Sequence, residues 1–504
     1  MSMEHSTNIK TENIYKLFAF SFFLAILTYG FALTNFTISI DNEMPILSDF
    51  GLDLGRWGQN LILYHLFGGH LQYFSLVLSL FLFSLAAVQI SNLLKFTGFY
   101  SYCFCALFIS FPQLSYQLVF GMMAVVSALG VLLSVFSLDL FLKAYEEKHL
   151  PKKIVLFSVV ALILMFTMTM YQAFVFVPVS LFLILFFQKT FENEFKIQLE
   201  IKKTLVFSAV VLISGLLYYI SVKIICPLPK NGYVESFVSG GGFGGFIQNF
   251  IDMTRIHLSG NFYYGEKLYS LIPILVLILS VSFFLNKKHF IYRFLVLLLL
   301  MISPITLSYF ITSGYHPPRI YLTSNLIFAF ILVFAICHFK VDTFKKSTFK
   351  LISASLVLIV ILNIFFITKL FLSANEIYKH DKRIAEKIDN IIQEKYPSFN
   401  MTEKSIYFYG YFPFEYHQKF RLDNSEIFGG SFYNWNNGNN YRIINFFREA
   451  EVAEYNMITK EKFDVVKDSI EKMPTWPDSE SIKMINNTMI VKLGKDKGEA
   501  LYFE

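Results

Sequence analysis

Apolar stretches long enough to cross a bilayer recur along the chain, and no other feature constrains its fold as strongly. The hydrocarbon core of a membrane takes about 20 apolar residues of helix. Runs of that order fall at 17–33, 71–94, 98–114, 118–142, 154–170, 173–187, 204–225, 269–285, 290–311, 320–338 and 349–372. The composition agrees: 55% hydrophobic and only 16% charged, with a mean hydropathy of +0.51, is far from the balance of a soluble domain. The expected fold is mainly α, a polytopic membrane helix bundle of about eleven spans. The first run has no small-residue cleavage site, so it reads as a retained span and not as a removed signal.

The net charge of +6 does not point to nucleic acid, because no basic stripe is present and the lysines collect in short loops between apolar runs. With the start inside, the inside loops hold Lys143, Lys148, Lys152 and Lys153, then Lys189, Lys196, Lys202 and Lys203, then Lys287, Lys288 and Arg293, and finally Lys340, Lys345, Lys346 and Lys350. The outside loops are nearly bare, and Arg56, Lys230, Arg255, Lys267 and Arg319 each ask for a local reason. This arrangement predicts a multi-pass protein of the cell (inner or plasma) membrane. Residues 1–372 form its transmembrane domain, and 373–504 form a small α/β C-terminal domain on the extracytoplasmic side. The parity of the count turns on two tight connections, 113–117 and 171–172. The four cysteines show neither a disulfide framework nor zinc spacing.

Segment 35–70 leaves the first run on the outside and carries Ile40-Asp41-Asn42-Glu43-Met44-Pro45, then Gly55-Arg56-Trp57-Gly58. Carboxylates at a membrane rim can do proton chemistry, hold a metal ion or be solvated loop charges. Phe50, Leu54, Trp57, Leu61 and Tyr64 recur every three or four residues, which predicts one helix lying on the membrane surface. Asp53, Arg56 and Asn60 fall on its other face. Arg56 then either pairs with Asp53 or meets a lipid phosphate, which an arginine fork suits.

Two further outside segments stand out. Ser239 to Phe246 is glycine-rich but lacks the Lys-Ser/Thr of a phosphate loop, so it reads as a lid or re-entrant turn. Arg255 and His257 follow, as substrate contacts or solvated loop residues. Tyr315-His316-Pro317-Pro318-Arg319 opens a late span; the prolines stiffen it, and Arg319 sits where helix N–H groups favour an anion, unless it is an interfacial anchor. No second ligand stands at metal spacing from His316. In the C-terminal region, 374–394 reads as an amphipathic helix, Ser405–Tyr409 and Met489–Leu493 as strands, and 441–454 and 460–470 as helices. Between them, Phe428 to Tyr441 mixes aromatics with amides around Trp435, suited to stacking on sugars or simply a turn-rich loop.

Taken in order, the acids after the first span, Gly55-Arg56-Trp57, Pro317-Pro318-Arg319 and the Gly-Ser-Phe-x-Asn-Trp run of Gly430 to Trp435 resemble the Gtr-type glucosyltransferases of bacterial surface polysaccharides, including O-antigen. The resemblance implies a GT-C-like transferase that moves glucose from a polyprenyl-phosphate carrier to a polysaccharide or lipid-linked glycan at the outer membrane face, in contact with membrane lipid. Such enzymes often show adjacent acids, whereas here Asn42 separates Asp41 from Glu43. Displacing a phosphate from an anomeric carbon needs a base for the acceptor hydroxyl and cations for the leaving group. Asp41 is the expected base and Glu43 its assistant. Arg319 and Arg56 are expected at the phosphate, with Trp57, Arg255, His316 and Trp435 as further substrate contacts. The residues single out no cofactor; a divalent metal on Asp41 and Glu43 stays open, although two carboxylates alone make a poor site. A polysaccharide polymerase or glycan flippase is the alternative, and a flippase would be expected to carry charges inside its spans.

Overall fold

Long apolar runs fold as helices because a helix satisfies its own backbone polar groups, and here the ends come where proline, glycine or an extended residue interrupts. In the structure, a computed structural model that describes residues 2–69, 71–226, 242–259, 267–285, 289–306, 317–339, 346–399, 405–412, 422 and 425–495, about 75% of the described residues are helical. The main helices are α1 (Ser2–Thr28), α2 (Gln72–Leu93), α3 (Phe99–Ile109), α4 (Gly121–Glu146), α5 (Leu150–Met170), α6 (Phe176–Lys189), α7 (Ile197–Ile225), α8 (Gly242–Ser259), α9 (Leu271–Leu285), α10 (Phe290–Ile302), α11 (Ser324–His338) and α12 (Lys346–Lys395). Among the described residues, seven helical stretches are long and apolar enough to cross a membrane: Gln72–Leu93, Gly121–Glu146, Leu150–Met170, Gln172–Lys189, Ile197–Ile225, Pro318–His338 and Ser347–Lys395. Four shorter apolar helices, Asn13–Thr28, Phe99–Ile109, Leu268–Phe284 and Phe290–Ile305, account for the remaining runs. At 1.5 Å per residue, α3 rises only about 17 Å, short of a ~30 Å hydrocarbon core. The expected count of about eleven thus divides, among the described residues, into full-length and shorter helices.

The chain packs as two compact units, one of Met1–Leu33 and Ile46–Thr368, the other of Thr34–Pro45 and Lys369–Glu504. In the first unit α4 packs between α2 and α5. Both α2 and α4 bury serines, Ser75, Ser79, Ser84 and Ser91 on the first and Ser127, Ser134 and Ser137 on the second. Small side chains let apolar helices approach closely. Gly130 of α4 lies so near Phe174 that an added Cβ would sit 2.2 Å from its ring. On α7 the exposed Leu205, Leu212, Leu216 and Ile224 form the kind of surface a helix turns toward lipid.

The tight connections are short helical turns. Pro112–Leu114 and Ser115–Leu118 join α3 to α4, and Gln172–Val175 joins α5 to α6. The single surface helix expected from the Phe50 to Tyr64 spacing is instead three pieces: a 3-10 turn at Leu52–Leu54, an α-turn at Trp57–Asn60 and a π-helix at Leu61–Leu66. Gly51 and Gly55, at φ 75° and 71°, adopt the left-handed conformation and break the helix. Asn60 Nδ2 then ties the corner by donating to the carbonyls of Ser48 and Phe50 at 3.0 and 3.1 Å.

The second unit holds a four-stranded sheet in the order β2-β1-β4-β3, with β1 (Ser405–Tyr409), β2 (Asn456–Met457), β3 (Ile482–Ile485) and β4 (Thr488–Lys492). β1 runs parallel to β2 and β4, and β3 pairs antiparallel with β4. The β3–β4 hairpin turns on Asn486 and Asn487, both at positive φ, the geometry of a two-residue primed turn. Helices α13 (Asn440–Glu449) and α14 (Lys460–Glu471) complete the unit. Tyr407, Tyr409, Ile458, Phe463, Val466, Ile470, Met473 and Ile490 form its core. The amphipathic helix expected over 374–394 is the second half of α12. No proline or glycine stands between Lys346 and Lys395 to separate it from the preceding apolar run.

Candidate active site

The acid-bearing stretch belongs to the second unit, where α12 pins it. Asn375 Nδ2 donates to the Phe36 carbonyl at 3.0 Å and to Thr37 Oγ1 at 2.8 Å, and the Phe36 ring meets Tyr378 edge-on at 5.9 Å. A tight turn follows, with Asn42 N–H donating to Ser39 O at 2.9 Å and Met44 N–H to Asp41 O at 3.2 Å. Asp41 takes φ 75° to make it, a region that asparagine and aspartate tolerate best among residues with a Cβ.

Both carboxylates of this turn converge on Arg442. Its Nη2 donates to Asp41 Oδ1 at 2.7 Å, and its Nη1 donates to Glu43 Oε1. Arg442 sits in the first turn of α13, where the Asn439 side chain caps the helix by accepting from the Arg442 backbone N–H at 3.2 Å. The three side chains differ in exposure: Glu43 has none, Arg442 16% and Asp41 33%, so Asp41 is the carboxylate a ligand can reach. Glu43 Oε2 is buried with no hydrogen-bond partner among the described residues. Burial pushes the Glu43 carboxyl up to about 7, against the pull of Arg442 and with a further push from Asp41. For Arg442, burial works against the charge, but Asp41 and Glu43 outweigh it and hold the guanidinium above its ordinary value.

The Gly430 to Trp435 run packs against the same stretch. A Cβ on Gly430 would stand 2.7 Å from the Trp435 ring and 3.2 Å from Ile40, the neighbour of Asp41. Asp381 of α12, fully buried, holds this loop: its carboxylate accepts from Ser431 Oγ and from Phe432 N–H, both at 2.8 Å. Trp435 is half-buried, with its ring laid over Gly430 and not free for stacking on both faces.

The first unit builds two arginine corners, each on one of the tight connections. Arg56 lies over the Tyr171 ring at 4.7 Å and donates from Nε to Gln172 Oε1 at 3.4 Å. Gln172 Nε2 in turn donates to Leu54 O and Tyr218 Oη, both at 2.9 Å. Trp57 Nε1 donates to Ser221 Oγ at 3.0 Å and its ring meets Phe166, while Gly58 lies so close to Thr169 that a Cβ has no room there. Arg319 stacks over Phe120 at 5.2 Å. It belongs to a 3-10 turn, Pro318–Tyr321, that precedes α11. Gln113 and Gln117 grip this turn by donating to the carbonyls of Pro318 and Arg319. Gln59, one turn after Arg56, reaches the sulfur of Met123, itself one turn after Phe120.

Arg255 is exposed on α8. His316 lies outside the described residues, as does the side chain of His257, and of the glycine-rich run the part from Gly242 on is the start of α8. Among the described residues no three His, Cys, Asp or Glu side chains gather as metal ligands. Sequence reasoning missed Arg442, Asp381 and the contacts of Gln59, Gln113, Gln117 and Gln172. Arg442 looks like any polar-face residue of an amphipathic helix, and only two unbalanced acids hinted that a cation was owed to them.

Helices of membrane-crossing length mark an integral membrane protein, and its second unit holds a carboxylate pair bonded to an arginine. Comparison of sequences makes that specific. The chain belongs to the family described as Glucosyl transferase GtrII, whose sequence model matches residues 30–334, more than half its length. It is therefore a glycosyltransferase of a glucosyltransferase family. The matched stretch takes in Asp41, Glu43, Arg56, Trp57, Arg255, His316 and Arg319, and ends before Trp435 and Arg442. Neither comparison with curated proteins nor comparison with solved structures finds a match.

Proposed function

We propose that the protein transfers a glucosyl unit from a polyprenyl-phosphate carrier to a polysaccharide or lipid-linked glycan at the outer face of the cell membrane, by a GT-C-type mechanism with Asp41 as base. The acceptor hydroxyl oxygen attacks the anomeric carbon, and the bond from that carbon to the phosphate oxygen breaks with its electron pair leaving on the phosphate. The hydroxyl proton passes to Asp41. The observation that carries this assignment is the unequal exposure of the pair: Asp41 gives Arg442 its Oδ1 alone and stays one-third exposed, whereas Glu43 is sealed. Glu43 therefore works through Arg442, by accepting from its Nη1 and so keeping the guanidinium in place. Arg319 and Arg56 are assigned to the carrier phosphate, because each holds a full charge in an aromatic and amide setting that fixes its direction.

The test uses purified full-length protein and a polyprenyl-phosphate-glucose donor, reading the release of polyprenyl phosphate. Asp41→Asn preserves the turn's backbone but cannot accept the proton, so turnover falls by about a hundredfold or more while donor binding persists. Near-normal turnover in Asp41→Asn removes it as the base.

A further inference from the structure

Two carboxylates separated by one residue, in an enzyme that expels a phosphate, invite a bridging divalent cation. The residues present do not fit one. Mg²⁺ or Ca²⁺ takes six or more oxygen ligands, yet Asp41 Oδ1 and Glu43 Oε1 are already engaged by a guanidinium. No third carboxylate, histidine or cysteine joins them among the described residues. The remaining oxygen of Glu43 is sealed from solvent, where a metal's water ligands could not follow.

We propose that Arg442 is the built-in cation of the acid pair, standing between Asp41 and Glu43 where a divalent metal would otherwise bridge them. A guanidinium suits that position because its two terminal nitrogens reach one oxygen of each acid, it stays charged at any working pH, and its planar fork fixes the direction of both bonds. Asn439 anchors the backbone from which the fork extends. Arg442 is thus a positioning residue. Its consequence for turnover rests on the transferase reading, whereas the choice of cation does not.

The cation is tested by electron paramagnetic resonance of Mn²⁺ added to purified full-length protein, wild type and Asp41→Asn. The expected spectrum is that of free aqueous Mn²⁺ with both proteins. A bound ion in the wild type that Asp41→Asn abolishes overturns the proposal, even if no sugar transfer is ever found. Where release of polyprenyl phosphate is measurable, it is insensitive to EDTA, falls about a hundredfold or more in Arg442→Gln, and is partly retained in Arg442→Lys, which keeps the charge. Turnover lost to EDTA and restored by Mn²⁺, or an equal loss in the lysine and glutamine variants, also overturns it.

Discussion

A carboxyl sealed from water, with one oxygen on an arginine and the other without a hydrogen-bond partner among the described residues, has a proton affinity that folding itself creates. Glu43 rises from 4.5 to about 7 through burial, so the native state holds its proton more tightly than the unfolded chain does. The stability this supplies is fully present below about pH 4.5 and is lost as the pH climbs through about 7. Melting followed from acid to mildly alkaline pH should therefore show a decline over that window in the wild type. Glu43→Gln, which stays neutral throughout, should flatten it; an identical decline in the variant would move the titration to another group. Arg319 makes a different kind of prediction. Its guanidinium is aimed by Phe120, and a charge-assisted contact is worth about 1.5–3 kcal/mol. Arg319→Ala should then raise the KM for the carrier by roughly ten- to a hundredfold, and Arg319→Lys by less, with the melting temperature little changed. Kinetics that match the wild type would make the arginine an interfacial anchor.

Elements were legible in the sequence wherever length and composition alone decide them, and illegible where a side chain from elsewhere does. The strand Ser405–Tyr409 and the helix beginning at Lys460 stand where alternation and periodicity put them. The surface helix does not, because a heptad-like stripe of Phe50, Leu54, Trp57 and Leu61 cannot overrule two glycines at positive φ. The glutamines of the tight connections escaped notice for a related reason: an amide in a loop acquires meaning only from the carbonyl it reaches. Gly430 shows the same dependence. Its missing side chain makes room for the Trp435 ring and for Ile40, so Gly430→Ala should displace both. A loss of about 1–3 kcal/mol in stability is expected, with a shifted tryptophan emission and reduced turnover. A variant indistinguishable from the wild type in all three would mean the loop can open without disturbing the acids.

At the scale of the whole molecule, the class was readable from hydropathy, and the cation of the acid pair was not. The membrane orientation argued from lysine placement can be tested with cysteines introduced at Asn436 and Lys152. In intact cells an impermeant maleimide should label Asn436→Cys above the background of native thiols, and Lys152→Cys only after lysis. Labelling of Lys152→Cys in intact cells would reverse the assignment. Arg442 could not be read from the sequence because it joins Asp41 across 401 positions, and periodicity carries no information at that range. That separation also sets an order of events during synthesis. At about 5–20 residues per second, roughly 20–80 s pass between the emergence of the acids from the ribosome and that of the arginine that pairs with them. Through that interval the acid loop lacks its cation, and for most of it also the half of α12 that pins it. A chain interrupted at residue 368 would carry both acids unheld, so the proposed chemistry would wait for an arginine made 401 positions after the first of them.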